Sequence, residues 1–253
     1  MEPLHFLKHS LTSYLRKSTR IRNVYKAPHG YTVLEMIVVL AIVGILTAVI
    51  LVGQTTFNRT LLLTDTAYTV ALSIRETQTL GLSSEKTLGV QNAAFGVHFA
   101  VSPSNSYVQF ADVLPTITAP SWCPPIPIGT PASLIKPGNC VYDGAGELYH
   151  TFNFNQGFVQ SFCIYTQVNG SPTPDGCSNG APYLPNLSSL DIVFQRPNTT
   201  TLITGTLTSG VYAAQPDTAC IEIKAPTGTC KFVQITQLGQ ISVTPTCGEQ
   251  TSC

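Results

Sequence analysis

The stretch that decides the fold is Gly30-Tyr31-Thr32-Val33-Leu34-Glu35, followed by MIVVLAIVGILTAVILV from Met36 to Val52. Those last seventeen residues carry no charge. Counted from Tyr31 the stretch has twenty-two residues, and Glu35 is its one charged interruption. As a helix it reaches roughly 33 Å, enough to cross the hydrocarbon core of a bilayer. The residues before it are basic: Lys8, Arg16, Lys17, Arg20, Arg22 and Lys26 stand against Glu2 alone. Positive charge on that flank predicts that the front stays on the cytoplasmic side and the C-terminal part crosses.

Ordinary explanations leave residues over. A secretory signal would place a small-x-small cleavage site after the apolar run, but Leu51-Val52-Gly53-Gln54 stands there. A plain anchor leaves Glu35 without a purpose. An ionisable side chain in a span costs on the order of 2.5–3.5 kcal/mol at the helix centre, and less near an end. Cleavage after Gly30 would create an amine on Tyr31 one turn from Glu35. The same amine on a neighbouring copy could neutralise Glu35 when helices pack side by side, which makes the pair a register device.

Gly30-Tyr31-Thr32-Val33-Leu34-Glu35 with its apolar run resembles the class III signal of type IV pilins and type II secretion pseudopilins. Tyr31 takes the position usually held by Phe. The resemblance implies cleavage between Gly30 and Tyr31 by a prepilin peptidase and N-methylation of Tyr31. It also implies assembly with other pilin or pseudopilin subunits on an inner-membrane platform. The implied fold is α+β and pilin-like, with one long N-terminal helix packed on an antiparallel sheet domain.

Downstream the helical pattern continues. At 100° per residue Phe57, Leu61, Leu63, Ala67, Tyr68, Val70, Ala71, Leu72 and Ile74 share one broad arc. Asn58, Asp65, Thr66, Thr69, Ser73 and Glu76 fall opposite. Arg75 lies in the apolar arc and is expected to snorkel or pair. Gly81 and Ser83-Ser84 signal the end, and Gly53 is the expected bend or melting point. The predicted organisation is a leader over 1–30 that is removed, a membrane half over 31–53, an amphipathic half over 54–84 and a β-rich domain over 85–253.

Strands are predicted at 95–101, 107–112, 148–154, 158–168, 190–195, 202–207, 220–224 and 231–243, the last split by a turn at Leu238-Gly239-Gln240. Residues 114–139 hold seven prolines and read as a surface loop. The helix end Leu72–Leu80, the following hairpin and the late strand-Gly-strand are similar to GspH/FimT-like minor pilins and pseudopilins.

All eight cysteines fall between Cys123 and Cys253. An even count in a Gly/Pro-rich region points to disulfides in an oxidising compartment. Zinc would want closer Cys or His pairs. Nearest-neighbour pairing gives Cys123–Cys140, Cys163–Cys177, Cys220–Cys230 and Cys247–Cys253, one of 105 connectivities.

Little points to chemistry. Asp143-Gly-Ala-Gly-Glu147 offers two carboxylates on a Gly loop, but without EF-hand spacing it reads as a turn. His98 and His150 read as solvent-side strand residues. No catalytic or nucleotide motif occurs, and no cofactor, metal or enzymatic activity is expected. Some FimT-like pilins take part in DNA uptake and carry a late Gly-Arg-x-Arg motif. Here the comparable place reads Gly239-Gln240-Ile241-Ser242. Residues 31–253 hold seven Lys and Arg against twelve Asp and Glu, so nucleic acid is disfavoured as a partner. The expectation is a structural subunit, minor pilin or pseudopilin, of a filament based in the cytoplasmic membrane. A DNA-uptake pilin and a membrane-anchored secreted enzyme are its rivals.

Overall fold

A computed structural model of the chain describes residues 30–83, 86–91, 93–101, 104–113, 123, 138–155, 157–180, 183–196, 200–213, 215–226 and 228–246. The basic leader before Gly30, most of the proline-rich 114–139 stretch, and Cys247 and Cys253 lie outside the described residues. The chain divides into two units between Leu51 and Val52.

One helix, α1 (Val33–Leu82), is followed by β1 (Lys86–Thr87), β2 (Val90–Gln91), β3 (Ala94–Ala100), β4 (Ser106–Asp112), β5 (Leu148–Asn153), β6 (Phe158–Val168), β7 (Ser171–Cys177), β8 (Leu187–Phe194), β9 (Thr201–Leu207), β10 (Thr218–Lys224), β11 (Cys230–Thr236) and β12 (Ile241–Thr244). Gly53 lies inside α1 and does not interrupt it. β1 and β2 form a small hairpin. The other strands form two five-stranded sheets, ordered β5-β4-β3-β8-β9 and β12-β11-β10-β6-β7, and every pairing between neighbours is antiparallel. The fold class is α+β.

Within the second unit, one core joins α1 to the inner faces of both sheets. Leu63, Ala67, Val70, Ala71 and Ile74 of the helix share it with Val97 and Phe99 of β3, Ile192 and Phe194 of β8, Ile221 and Ile223 of β10, and Val233 and Ile235 of β11. Fully burying side chains of this size contributes about 1.5–3 kcal/mol each.

The helix is rotated relative to the face expected from its sequence. Ser73 and Thr77 point inward: the Ser73 hydroxyl lies 2.8 Å from the Tyr107 hydroxyl, and Gln109 Nε2 donates to Thr77 Oγ1 at 2.8 Å. Ser73 was expected on the polar side. In exchange Leu61, Tyr68 and Leu72, expected in the core, stay exposed at 51%, 54% and 61%. The reason lies in the sheet, because β4 presents Tyr107 and Gln109 inward and these need polar partners. Arg75 is exposed and donates to the Ile241 carbonyl at 3.1 Å.

β7 was absent from the strand expectations. Its sequence SPTPDGC carries Pro172 and Pro174, which deny ladder donors. It is tolerated because β7 is an edge strand. The preceding Asn169-Gly170 has φ of 53° and 82°, a two-residue turn with both centres left-handed. The turn expected at Leu238-Gly239-Gln240 is present, with Gly239 N–H donating to the Thr236 carbonyl at 2.9 Å.

Gly81 does more than signal a helix end. A Cβ there would stand 2.3 Å from the Phe194 carbonyl oxygen and 2.8 Å from the Phe194 Cβ. The last turn of α1 thus sits against β8 at a distance that only glycine permits. On an open helix Gly→Ala gains about 0.5–1 kcal/mol. Here Gly81→Ala is expected to destabilise by about 1–3 kcal/mol, the usual cost of overpacking. Thermal unfolding of the full chain in detergent checks this, and a higher melting temperature would refute the close seat.

Candidate functional site

The first candidate is the start of α1. Thr32 caps the helix: its Oγ1 accepts the Glu35 N–H at 3.2 Å and its carbonyl accepts the Met36 N–H at 3.2 Å. Thr32 and Glu35 thus stand three residues apart, the spacing of a capping box. Glu35 also lies in the first turn, where the positive end of the helix dipole favours a carboxylate. Gly30, Tyr31 and Glu35 are all exposed. Glu35 has no ion-pair partner among the described residues, so its carboxylate is open to another chain.

Val33–Leu51 is apolar and long enough to cross a membrane, with mean hydropathy 2.8 and none of it buried. Thr47 turns its hydroxyl back onto the Val43 carbonyl at 2.7 Å, which hides a polar group along the span.

A second cluster lies on the outer face of the β5-β4-β3-β8-β9 sheet. Segment 138–147 is strapped across it by three carboxylates that are almost wholly buried. Asp112 accepts the N–H groups of Asn139 and Cys140, each at 2.9 Å. Asp191 accepts the Tyr142 N–H at 3.2 Å and lies 2.8 Å from His98 Nδ1. Glu147 accepts from Asp143 and Val113, each at 2.9 Å. Thr204 adds a bond to the Cys140 carbonyl at 3.0 Å. A Cβ on Gly138 would fall 2.8 Å from the Asp112 carboxylate, so the strap begins on a glycine of necessity.

This corrects one expectation. His98 is not a solvent-side residue; it is ion-paired to Asp191 and packs near the Tyr142 ring, centroids 4.9 Å apart. His150 is exposed on β5 beside Phe152. The Asp143–Glu147 loop is a turn, closed by the Glu147 N–H on the Gly144 carbonyl at 3.0 Å. No group of three or more His, Cys, Asp or Glu poised for a metal occurs among the described residues. Sequence reasoning passed over Asp112 and Asp191. The available signal was an acid inside or at the end of an apolar strand, as in Leu190-Asp191-Ile192.

Electrostatics in the strap favour protons. Burial raises the Asp112 pKa to about 8, against the lowering pull of the Asn139 and Cys140 amides, and the Glu147 and Asp143 charges add to the rise. For His98, burial pulls downward, but the Asp191 charge and hydrogen bond outweigh it and the pKa ends above 6.5.

Disulfides join Cys123 to Cys140 and Cys163 to Cys177. The first pins the strap, and the second joins directly opposed residues of β6 and β7. Cys220 and Cys230 are both disulfide-bonded, but not to one another as nearest-neighbour pairing had it. Cys220 faces Gln234 while Cys230 faces Lys224. Four residues of strand separate the two positions by roughly 13 Å, whereas a bridge needs Cα atoms within about 7 Å.

The site therefore defines a class, a protein with an exposed apolar N-terminal helix, capped by a Thr-x-x-Glu turn, ahead of a disulfide-bonded sheet domain. Residues 25–51 match the prokaryotic N-terminal methylation motif. The chain thus carries the class III signal of type IV pilin-like proteins, which implies peptidase processing and membrane-associated assembly. No curated protein matches the chain, and no solved structure does.

Two measurements follow from these contacts. Between the ordinary 3.8 and about 8 the folded chain keeps a proton on Asp112 that the unfolded chain has released, so stability falls as pH rises through that window. The His98 contribution is full below 6.5 and is lost as pH rises through the folded value, which has the same sign. The melting temperature should fall by several degrees across the window, and Asp112→Asn should flatten the slope. A melting temperature that climbs with pH there would show that Asp112 is ionised in the fold. Separately, peptide mapping without reduction should recover Cys163 linked to Cys177 and no peptide linking Cys220 to Cys230.

Proposed function

We propose that the chain is a structural subunit, a minor pilin or pseudopilin of the GspH/FimT-like kind, in a type IV pilus or type II secretion filament. The reading takes Gly30 as the cleavage point for a prepilin peptidase and Tyr31 as the new, N-methylated terminus. The protein starts in the cytoplasmic membrane with its sheet domain outside, and an inner-membrane platform lifts it into the filament. Glu35 meets the Tyr31 amine of a neighbouring subunit. Its role is architectural, with neither catalysis nor a cofactor. The acidic balance of residues 31–253 supports protein partners over nucleic acid.

The observation that carries this reading is the unused apolar arc of α1. Leu61, Tyr68 and Leu72 stand on the side away from the sheets, at a spacing of seven and four residues. Such positions share one helix face. Their own domain has its core filled without them, which leaves them to helices of other subunits.

Glu35→Ala should leave membrane insertion and cleavage intact yet block incorporation into filaments. Leu72→Asp should leave the stability of the domain within about 0.5 kcal/mol of wild type and also block incorporation. Normal incorporation of both variants would sink the proposal. Intact mass of the membrane-extracted protein tests the processing step, because an uncut N-terminus points to a simple anchor.

A further inference from the structure

The ends of β6, β10 and β11 and the β11–β12 turn border an open depression of about 470 Å³. Small-molecule sites span roughly 300–1,000 Å³. It is lined by Gln167, Gln237 and Gln240, which carry side-chain amides, by Asp217, and by the hydroxyl-bearing Thr218 and Thr236. Leu238, 76% exposed, supplies one apolar edge.

The backbone around this wall is tied down. Gln167 N–H donates to Asp217 Oδ2 at 2.7 Å, and Gln237 N–H donates to the Asp217 carbonyl at 2.7 Å. Gln240 N–H donates to Thr236 Oγ1 at 3.2 Å. Thr218 and Thr236 are cross-strand partners in the ladder. The side chains by contrast are unspent: among the described residues none of the three glutamine amides bonds within the chain. Each amide can donate and accept at once. Asp217 keeps its second oxygen, and the Thr236 hydroxyl keeps its hydrogen to donate.

Charge narrows the ligand. The wall holds no Lys, Arg or His, and its one formal charge is negative. Phosphates, sulfates and nucleic acid are therefore disfavoured. A ligand that fits carries no anionic group, has donors and acceptors on neighbouring atoms, and offers a C–H face to Leu238. Vicinal hydroxyls on a pyranose ring meet all three conditions. We infer that this depression is a binding site for a neutral saccharide, such as the end or a short run of a surface polysaccharide. Recognition there runs through Gln167, Gln240 and Asp217, with Leu238 against the ring. This goes beyond a filament role and does not depend on it, since binding by the unassembled subunit is enough.

The test uses the full chain in a detergent without a sugar headgroup. Maltohexaose, cellohexaose and chitohexaose serve as neutral probes, with a heparin hexasaccharide as the charged control. Saturation-transfer NMR and calorimetry should show binding to at least one neutral probe and none to heparin. Gln167→Ala with Gln240→Ala should weaken that binding at least about ten-fold, as expected when two hydrogen-bonding side chains are removed. Both side chains are exposed, so the double variant should melt as wild type does. Asp217→Asn, which keeps the shape, is the second variant and should also weaken binding. Absence of binding to all three neutral probes would overturn the inference. So would binding that survives both variants, or retention of heparin alone.

Discussion

Nineteen consecutive helical residues, Val33–Leu51, form an apolar span with none of it buried, and water is a poor solvent for that surface. Everything else about the protein accommodates this constraint. The segment has to be taken up by lipid or by other apolar helices. Thr32 closes its start and leaves Glu35 in the first turn, where the helix dipole helps to hold a carboxylate. The same helix continues into a soluble domain, and there it faces a different task. It must present one side to two sheets and still keep a second apolar side free.

The domain solves the first half of that task with polar contacts as well as apolar ones. Tyr107 and Gln109 on β4 pair with Ser73 and Thr77 of α1. Those bonds select the rotation of the helix about its axis, because a different rotation would leave Tyr107 and Gln109 buried without these partners. Gly81 then lets the last turn close onto β8. The rotation pushes Leu61, Tyr68 and Leu72 outward. A helix packed by apolar matching alone would have buried them.

The outer face of the same sheet follows another logic. Asp112, Asp191 and Glu147 gather backbone N–H groups from Asn139, Cys140, Tyr142 and Asp143, so a segment with no regular structure of its own is held across the strands. Each carboxylate replaces the ladder partners that an irregular segment lacks. The Cys123–Cys140 bridge ties the proline-rich stretch to this strap. At the edges, prolines in β7 deny a further strand its donors. The Asn169-Gly170 turn supplies the chain reversal that makes β7 possible. Pro172 and Pro174 fit there because the strand lies at the sheet edge.

Much of the plan was open to reading from residues alone, because it rests on local and periodic properties. Hydrophobicity over Tyr31–Val52, the charge step before it and the placement of Gly30 and Glu35 act within a few residues of one another. They determine the membrane-length helix, the methylation motif and the α+β order of elements. Alternation located most of the strands, and nearest-neighbour order gave the Cys123–Cys140 and Cys163–Cys177 bridges. What only the tertiary structure decided were relations between distant residues. The face of α1 that is buried depends on what β4 presents. The backbone N–H groups that Asp112 and Asp191 accept come from a segment that no periodicity marks. The impossibility of a Cys220–Cys230 bridge follows from a ladder register in which they stand four residues apart. Each of these depends on strand pairing and packing across the whole fold, and a pattern along the chain carries no measure of that.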